Sequence, residues 1–120
     1  MLDQVNTLFG ITPDADLDIL RPRQTLEDIT SRTLQGLAPV LEAERPDCVL
    51  VQGDTTTALA SAMAGFYHHV PVVHLEAGLR TDRPDDPFPE EMNRRLTSQL
   101  STLHLAPTPR SRTNLLREGV

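Results

Sequence analysis

There is no lysine in these 120 residues; all 11 basic residues are arginine. That removes Schiff-base lysine chemistry and the lysine of a phosphate-cradling P-loop. Cysteine occurs once, as Cys48 inside an apolar run. One thiol builds neither a disulfide framework nor a cysteine metal site, and a small buried hydrophobe is its expected role. Net charge is −6 without a basic cluster, so neither nucleic acid nor an anionic membrane is an expected partner. No apolar stretch approaches the ~20 residues of a membrane-spanning helix. The opening Met1-Leu2-Asp3-Gln4 lacks the basic and apolar regions of a signal peptide, and a cytoplasmic location is expected. The glycines at 10, 36, 53, 65, 78 and 119 never take G-x-G-x-x-G spacing, and neither a Walker motif nor a G-x-S-x-G elbow occurs. A dinucleotide cofactor and serine-hydrolase chemistry are therefore unsupported. His68 and His69 are adjacent, but a metal site needs more ligands than that pair.

What is present alternates between helix and strand. The length suits one domain, able to bury roughly two-thirds of its unfolded surface. Leu2, Val5, Leu8 and Phe9 stand at helical spacing before Gly10, so the chain opens inside or at the edge of a helix. Asp16 to Leu20 alternates like a short strand or edge segment. From a Thr25 cap, Leu26, Ile29, Thr33, Leu37, Val40 and Leu41 form one helical face. Pro39 is expected to bend that helix or end it early. Cys48 to Val51 is a continuous apolar run, as in a buried parallel strand. A helix over 55–67, a strand over 72–75, a helix over 90–100, a strand over 102–106 and a last helix over 111–117 follow. Strand and helix in alternation with short connections predict an α/β fold, a parallel sheet covered by helices on both faces. Ligands of such sheets bind beyond the carboxyl ends of the strands.

Three segments sit at such places. In Gly53-Asp54-Thr55-Thr56-Thr57 a strand passes straight into a helix. Asp54 there either caps the helix or, with the threonine hydroxyls and backbone N–H groups, faces a ligand. In His74-Leu75-Glu76-Ala77-Gly78-Leu79-Arg80, Glu76 leaves a strand end and Arg80 is placed to pair with it. Such a pair is either functional or a structural bridge at the sheet edge. His74 alternates with Val73 and Leu75, so a satisfied core histidine is expected. In Pro87-Phe88-Pro89-Glu90-Glu91-Met92-Asn93-Arg94-Arg95, Glu90–Arg94 and Glu91–Arg95 are i,i+4 pairs in the favourable order, and spacing alone reads a solvated helix start.

Taken together, Gly53–Thr57, His74–Thr81 and Pro89–Arg94 resemble the bacterial non-hydrolysing UDP-N-acetylglucosamine 2-epimerase family in order and spacing. The flanking Met1–Val5, Arg23–Leu26, Pro46-Asp47 and Ala106–Thr108 fit as well. The resemblance implies two Rossmann-like domains of GT-B type, of which residues 1–120 are an incomplete N-terminal one, without its first strand and without the C-terminal domain. It implies reversible conversion of UDP-GlcNAc to UDP-ManNAc through elimination and re-addition of UDP, no cofactor, no metal and a homodimer. Asp54, Glu76 and Glu90 match the family's three functional carboxylates, and Asp54, Glu76 and Arg80 its substrate contacts. Arg23 and Glu90 match part of a neighbouring site at which UDP-GlcNAc activates the enzyme. None of the four histidines matches the family's functional histidine, which the second domain supplies. The threonine run after Asp54 and the Ala-Gly-Leu-Arg after Glu76 favour the non-hydrolysing branch over hydrolysing epimerases; a GT-B glycosyltransferase domain is the alternative from another class, which acceptor-dependent sugar transfer would reveal. By the same resemblance the 120 residues alone are expected to be inactive.

Overall fold

The computed structural model describes residues 2–120; of the amino-terminal motif, Met1 and the side chain of Leu2 lie outside the described residues. The elements are α1 (Leu2–Phe9), α2 (Leu26–Glu44), β1 (Val49–Gln52), α3 (Thr56–Tyr67), β2 (Val72–Leu75), α4 (Glu90–Leu100), β3 (Leu103–Leu105) and α5 (Pro109–Arg117). The strands form one parallel sheet in the order β1-β2-β3. Crossovers between parallel strands are right-handed. Two steps in the same direction therefore put α3 and α4 on one side, where α3 packs between α2 and α4.

That one-sided layer explains which residues are buried. Val51, Ala58, Ala62 and Val72 form the core, with Val49 and Leu100 against it. Alanines at 58, 60, 62 and 64 bury α3 on several sides at once, because small side chains let helix and sheet approach closely. The opposite parity of β1 stays open: Cys48 is exposed, Leu50 is 57% exposed and Gln52 is exposed. The expectation of a buried Cys48 is thus corrected. The apolar run is covered on one face only, and Cys48 falls on the other.

One further expectation fails for a local reason. Asp16 to Leu20 is not a strand. Asp18 takes a left-handed φ of 42° and its N–H bonds the Asp16 carboxylate at 2.9 Å, a turn that breaks the alternation. Leu17 instead packs on α2 beside Gly36. Of the two outcomes expected of Pro39, a bend or an early end, the early end does not occur: α2 continues to Glu44. A capping box of Thr25 and Asp28 anchors the helix start, and buried Thr33 and Leu41 hold its later turns. The apolar face of α1 is exposed at Val5, Leu8 and Phe9.

Among the described residues β1 pairs on one edge only. Its open edge runs along a groove of about 370 Å³ lined by Leu37, Val49, Leu50, Val51, Thr57 and Ala58. An unpaired edge beside apolar surface invites strand addition. The 120-residue chain by itself is therefore expected to self-associate and to take up a hydrophobic dye in sedimentation and fluorescence measurements. A monomer with a sharp melt and no dye uptake would count against this.

Candidate functional site

The register that pairs Gln52 with Leu75 brings the next residues of both strands side by side. Gly53 N–H donates to Leu75 O at 3.1 Å, and Glu76 Oε2 lies 3.6 Å from where a Cβ on Gly53 would stand. Asp54 follows at the turn into α3. Glu76 takes φ +70°, a left-handed conformation that costs a non-glycine residue about 1–3 kcal/mol. The N–H groups of Glu76 and Ala77 both donate to Leu105 O, at 3.1 and 3.2 Å. That hold fixes the turn on β3 and keeps the strained residue in place. Beyond the strand ends lies a groove of about 840 Å³ lined by Gln52, Glu76, His104, Ala106, Arg112 and Leu116, among others.

Asp54 is not the cap of α3. Thr55 is: its hydroxyl accepts the Ala58 N–H at 3.1 Å. The Asp54 carboxylate is thereby free to pair elsewhere, and Oδ2 lies 2.6 Å from Arg94 Nη2. Asn93 Nδ2 donates to the Asp54 carbonyl at 2.9 Å. His74 is fully buried, with Nε2 2.8 Å from the Gly53 carbonyl. A carbonyl only accepts, so Nε2 carries the proton. Burial holds the ring's pKa below the ordinary histidine value, against the opposing pull of that hydrogen bond. This is the core histidine expected from its alternation, but only half satisfied: Nε2 steadies the residue before Asp54, while the buried Nδ1 has no hydrogen-bond partner among the described residues.

The expected Glu76–Arg80 pair does not form. The guanidinium of Arg80, with only 2% of its side chain exposed, binds Glu118 through Nε at 2.8 Å and Nη2 at 2.7 Å, and Ser98 Oγ at 3.1 Å. Those bonds hold the Glu118 carboxyl below its usual range. Sequence spacing favoured the near partner; the fold brings up a residue 38 positions away. The Glu90–Arg94 pair is also absent. Arg94 turns to Asp54 and to Glu91, whose Oε2 is 3.3 Å from Nη1, whereas the expected Glu91–Arg95 pair is present at 2.9 Å. Nor is the helix start merely solvated: Glu91, Asn93 and Arg94 are buried. Glu90 sits in the first turn of α4, three and four residues before Asn93 and Arg94, and so on the face that looks toward Asp54. Arg23 stands exposed in the turn before α2 with φ +57°. Among the described residues no hydrogen bond or ion pair joins it to Glu90.

The grip of Asn93 and Arg94 on Asp54 was not read from sequence. Their i+3 and i+4 spacing from Glu90 was the available signal, since residues so spaced share a helical face.

A parallel α/β unit of this kind is Rossmann-like, a class of fold in which ligands sit beyond the carboxyl ends of the strands. All of residues 1–120 match the family model described as UDP-N-acetylglucosamine 2-epimerase. The chain belongs to the UDP-N-acetylglucosamine 2-epimerase family. It is 61% identical to a UDP-N-acetylglucosamine 2-epimerase of Yersinia pestis over its whole length, which is 32% of that protein. With the Salmonella typhimurium enzyme the identity is 57%, over the same shares of each chain. The crystal structure of the Neisseria meningitidis UDP-GlcNAc 2-epimerase bound to UDP-GlcNAc superposes on all of this chain and 33% of its own, with TM-score 0.94 and 55% identity. The Methanocaldococcus jannaschii enzyme in complex with UDP-GlcNAc and UDP matches 96% of this chain and 31% of its own, with TM-score 0.89 and 39% identity. The chain thus spans about a third of the length of the curated relatives it matches.

Proposed function

We propose that this chain forms one wall of the active site of a non-hydrolysing UDP-N-acetylglucosamine 2-epimerase, interconverting UDP-GlcNAc and UDP-ManNAc in the cytoplasm as a homodimer. One observation carries the reading. Asp54 and Glu76 leave adjoining strand ends, and Glu90 opens the helix whose Arg94 holds Asp54. Inverting C2 needs a group that removes its proton and a group that returns one on the opposite face. Carboxylates on different elements approach a sugar from different sides.

In the proposed reaction a carboxylate takes the C2 proton while the C1–O bond to UDP breaks, leaving a 2-acetamidoglucal and UDP. Return of UDP oxygen to C1 and of a proton to the other face of C2 gives the epimer. No electron leaves the pair of substrates, so no redox cofactor is required. Asp54, Glu76 and Glu90 are the proposed acid/base groups, with Asp54 and Glu76 touching the sugar. Arg80, which the resemblance placed with them, is already engaged by Glu118 and Ser98. Its proposed part is to hold the loop that follows Glu76. Arg23 and Glu90 are the proposed contribution to an activating UDP-GlcNAc site.

The reading is tested in a chimera, with this chain grafted in place of the matching third of the Yersinia pestis relative. Incubated with UDP-GlcNAc in deuterium oxide, it is expected to exchange the C2 proton and form UDP-ManNAc, followed by NMR. Release of free ManNAc would assign the hydrolysing reaction instead, and transfer of the sugar to an acceptor a glycosyltransferase. The 120-residue chain alone is expected to give no turnover, because it spans a third of the length of its relatives.

A further inference from the structure

Glu91 is an unusual residue to find without any solvent exposure. A buried carboxylate is costly unless it is paired and hydrogen-bonded, and each of its oxygens has partners. Oε1 lies 2.9 Å from Arg95 Nε. Oε2 accepts the Thr81 N–H at 3.2 Å and lies 3.3 Å from Arg94 Nη1. The far side of the same guanidinium, Nη2, reaches Asp54 Oδ2 at 2.6 Å. Arg94 is itself 5% exposed, and its Nε and Nη1 make no hydrogen bond. Its placement therefore depends on two carboxylates, Glu91 on one side and Asp54 on the other.

We infer that Glu91 is a positioning residue for the proposed reaction: it holds Arg94 against Asp54 and so aims the free oxygen of that carboxylate. Among the described residues Oδ1 of Asp54 accepts no hydrogen bond, and the side chain is 29% exposed. That oxygen is the one left to meet a ligand. Glu91 also ties the loop after Glu76 to α4 through Thr81, so the supports of both strand-end carboxylates meet at one buried group. Arginine suits the middle place because its charge is spread over a planar fork, so that one nitrogen bonds Asp54 while the other stays in ion-pair range of Glu91.

The inference rests on the proposed epimerase reading, and the experiment separates the two. In the chimera, Glu91→Gln keeps the size and an acceptor for Thr81 but removes the charge that holds Arg94. Its kcat for C2 proton exchange is expected to fall about 10–100-fold, the scale of a displacement of about 1 Å at a reacting group. KM for UDP-GlcNAc is expected to stay at the parent value. Arg94→Lys is expected to lose kcat in the same way, and to serve where Glu91→Gln does not fold. A crystal structure of the folded variant is expected to show the guanidinium or ammonium displaced from Asp54. A variant that melts lower but keeps the parent kcat would mark Glu91 as a merely structural group and overturn the inference. So would a Glu91→Gln structure in which Arg94 still rests on Asp54, whether or not the chimera is active. An inactive parent chimera would overturn the epimerase reading itself.

Discussion

Asp54→Asn and Glu76→Gln in the chimera are each expected to slow epimerisation by about 10²–10⁴-fold, the usual loss when a general acid or base is removed. Both swaps keep the shape of the side chain. A purely structural account expects otherwise. Thr55, not Asp54, caps α3, so the helix start is unchanged by the substitution. Asp54→Asn does leave Arg94 with a weaker partner, but Glu91 remains beside the guanidinium, and only a modest drop in melting temperature is expected. Glu76 has no ion pair among the described residues, so its substitution is the cleaner of the two. Glu90→Gln completes the set: it forms no pair with Arg94, so a structural role gives it nothing to lose. Proton exchange at C2 in deuterium oxide and thermal melting, measured on the same samples, decide the matter. Parent-rate exchange in both Asp54→Asn and Glu76→Gln would return these carboxylates to structure.

The largest effect on stability is expected at Gly78, in the loop after β2. Its φ is +89°, and a Cβ there would stand 2.2 Å from Ser111 O and 2.7 Å from Ser111 C. These are backbone atoms of α5, which cannot swing aside as a side chain can. Gly78→Ala therefore combines left-handed strain of about 1–3 kcal/mol with an overpacking cost of similar size. A loss of roughly 3 kcal/mol or more is expected, and with it a fall in melting temperature of roughly 10–20 °C for a domain of this size. Gly10→Ala is the control. It has a similar φ of +64° but no atom within 4 Å, so it carries the strain without the clash. Equal melting temperatures for the two variants would show that α5 does not seat against Gly78 as described. The closeness has a use: Asn114 Nδ2 reaches the Gly78 carbonyl at 2.9 Å, and Glu118 closes on Arg80 just beyond. Together they fix the loop that leads away from Glu76.

Much of this was legible in the residues. The alternation of apolar runs with helix-spaced segments set the α/β class, the three parallel strands and the helices between them. Local chemistry within a few positions decides those features: a Thr-led cap, an apolar strand run, a glycine at a turn. The three motif segments also marked where the carboxylates would lie, because strand ends are visible as the close of an apolar run. Local rules misled where a local competitor was present. At Asp16 to Leu20 an aspartate side chain turned the backbone aside. Which side of β1 would be covered was not legible either, since a four-residue apolar run has no polar face to betray its parity. Cys48 was lost to that ambiguity. Spacing gave the Glu91–Arg95 pair, but tertiary structure chose the distant partners of Arg80 and Arg94. Arg80 and Arg94 each had an acidic residue four positions away, and each instead hydrogen-bonds a carboxylate 38 or 40 positions distant, Arg94 keeping Glu91 as a second ion-pair partner nearer in sequence. An exposed i,i+4 pair contributes only a few tenths of a kcal/mol, too little to hold an arginine against a partner met inside the fold. Burial decides because a guanidinium removed from water must find carboxylates where the chain brings them, and sequence separation says nothing about where that is.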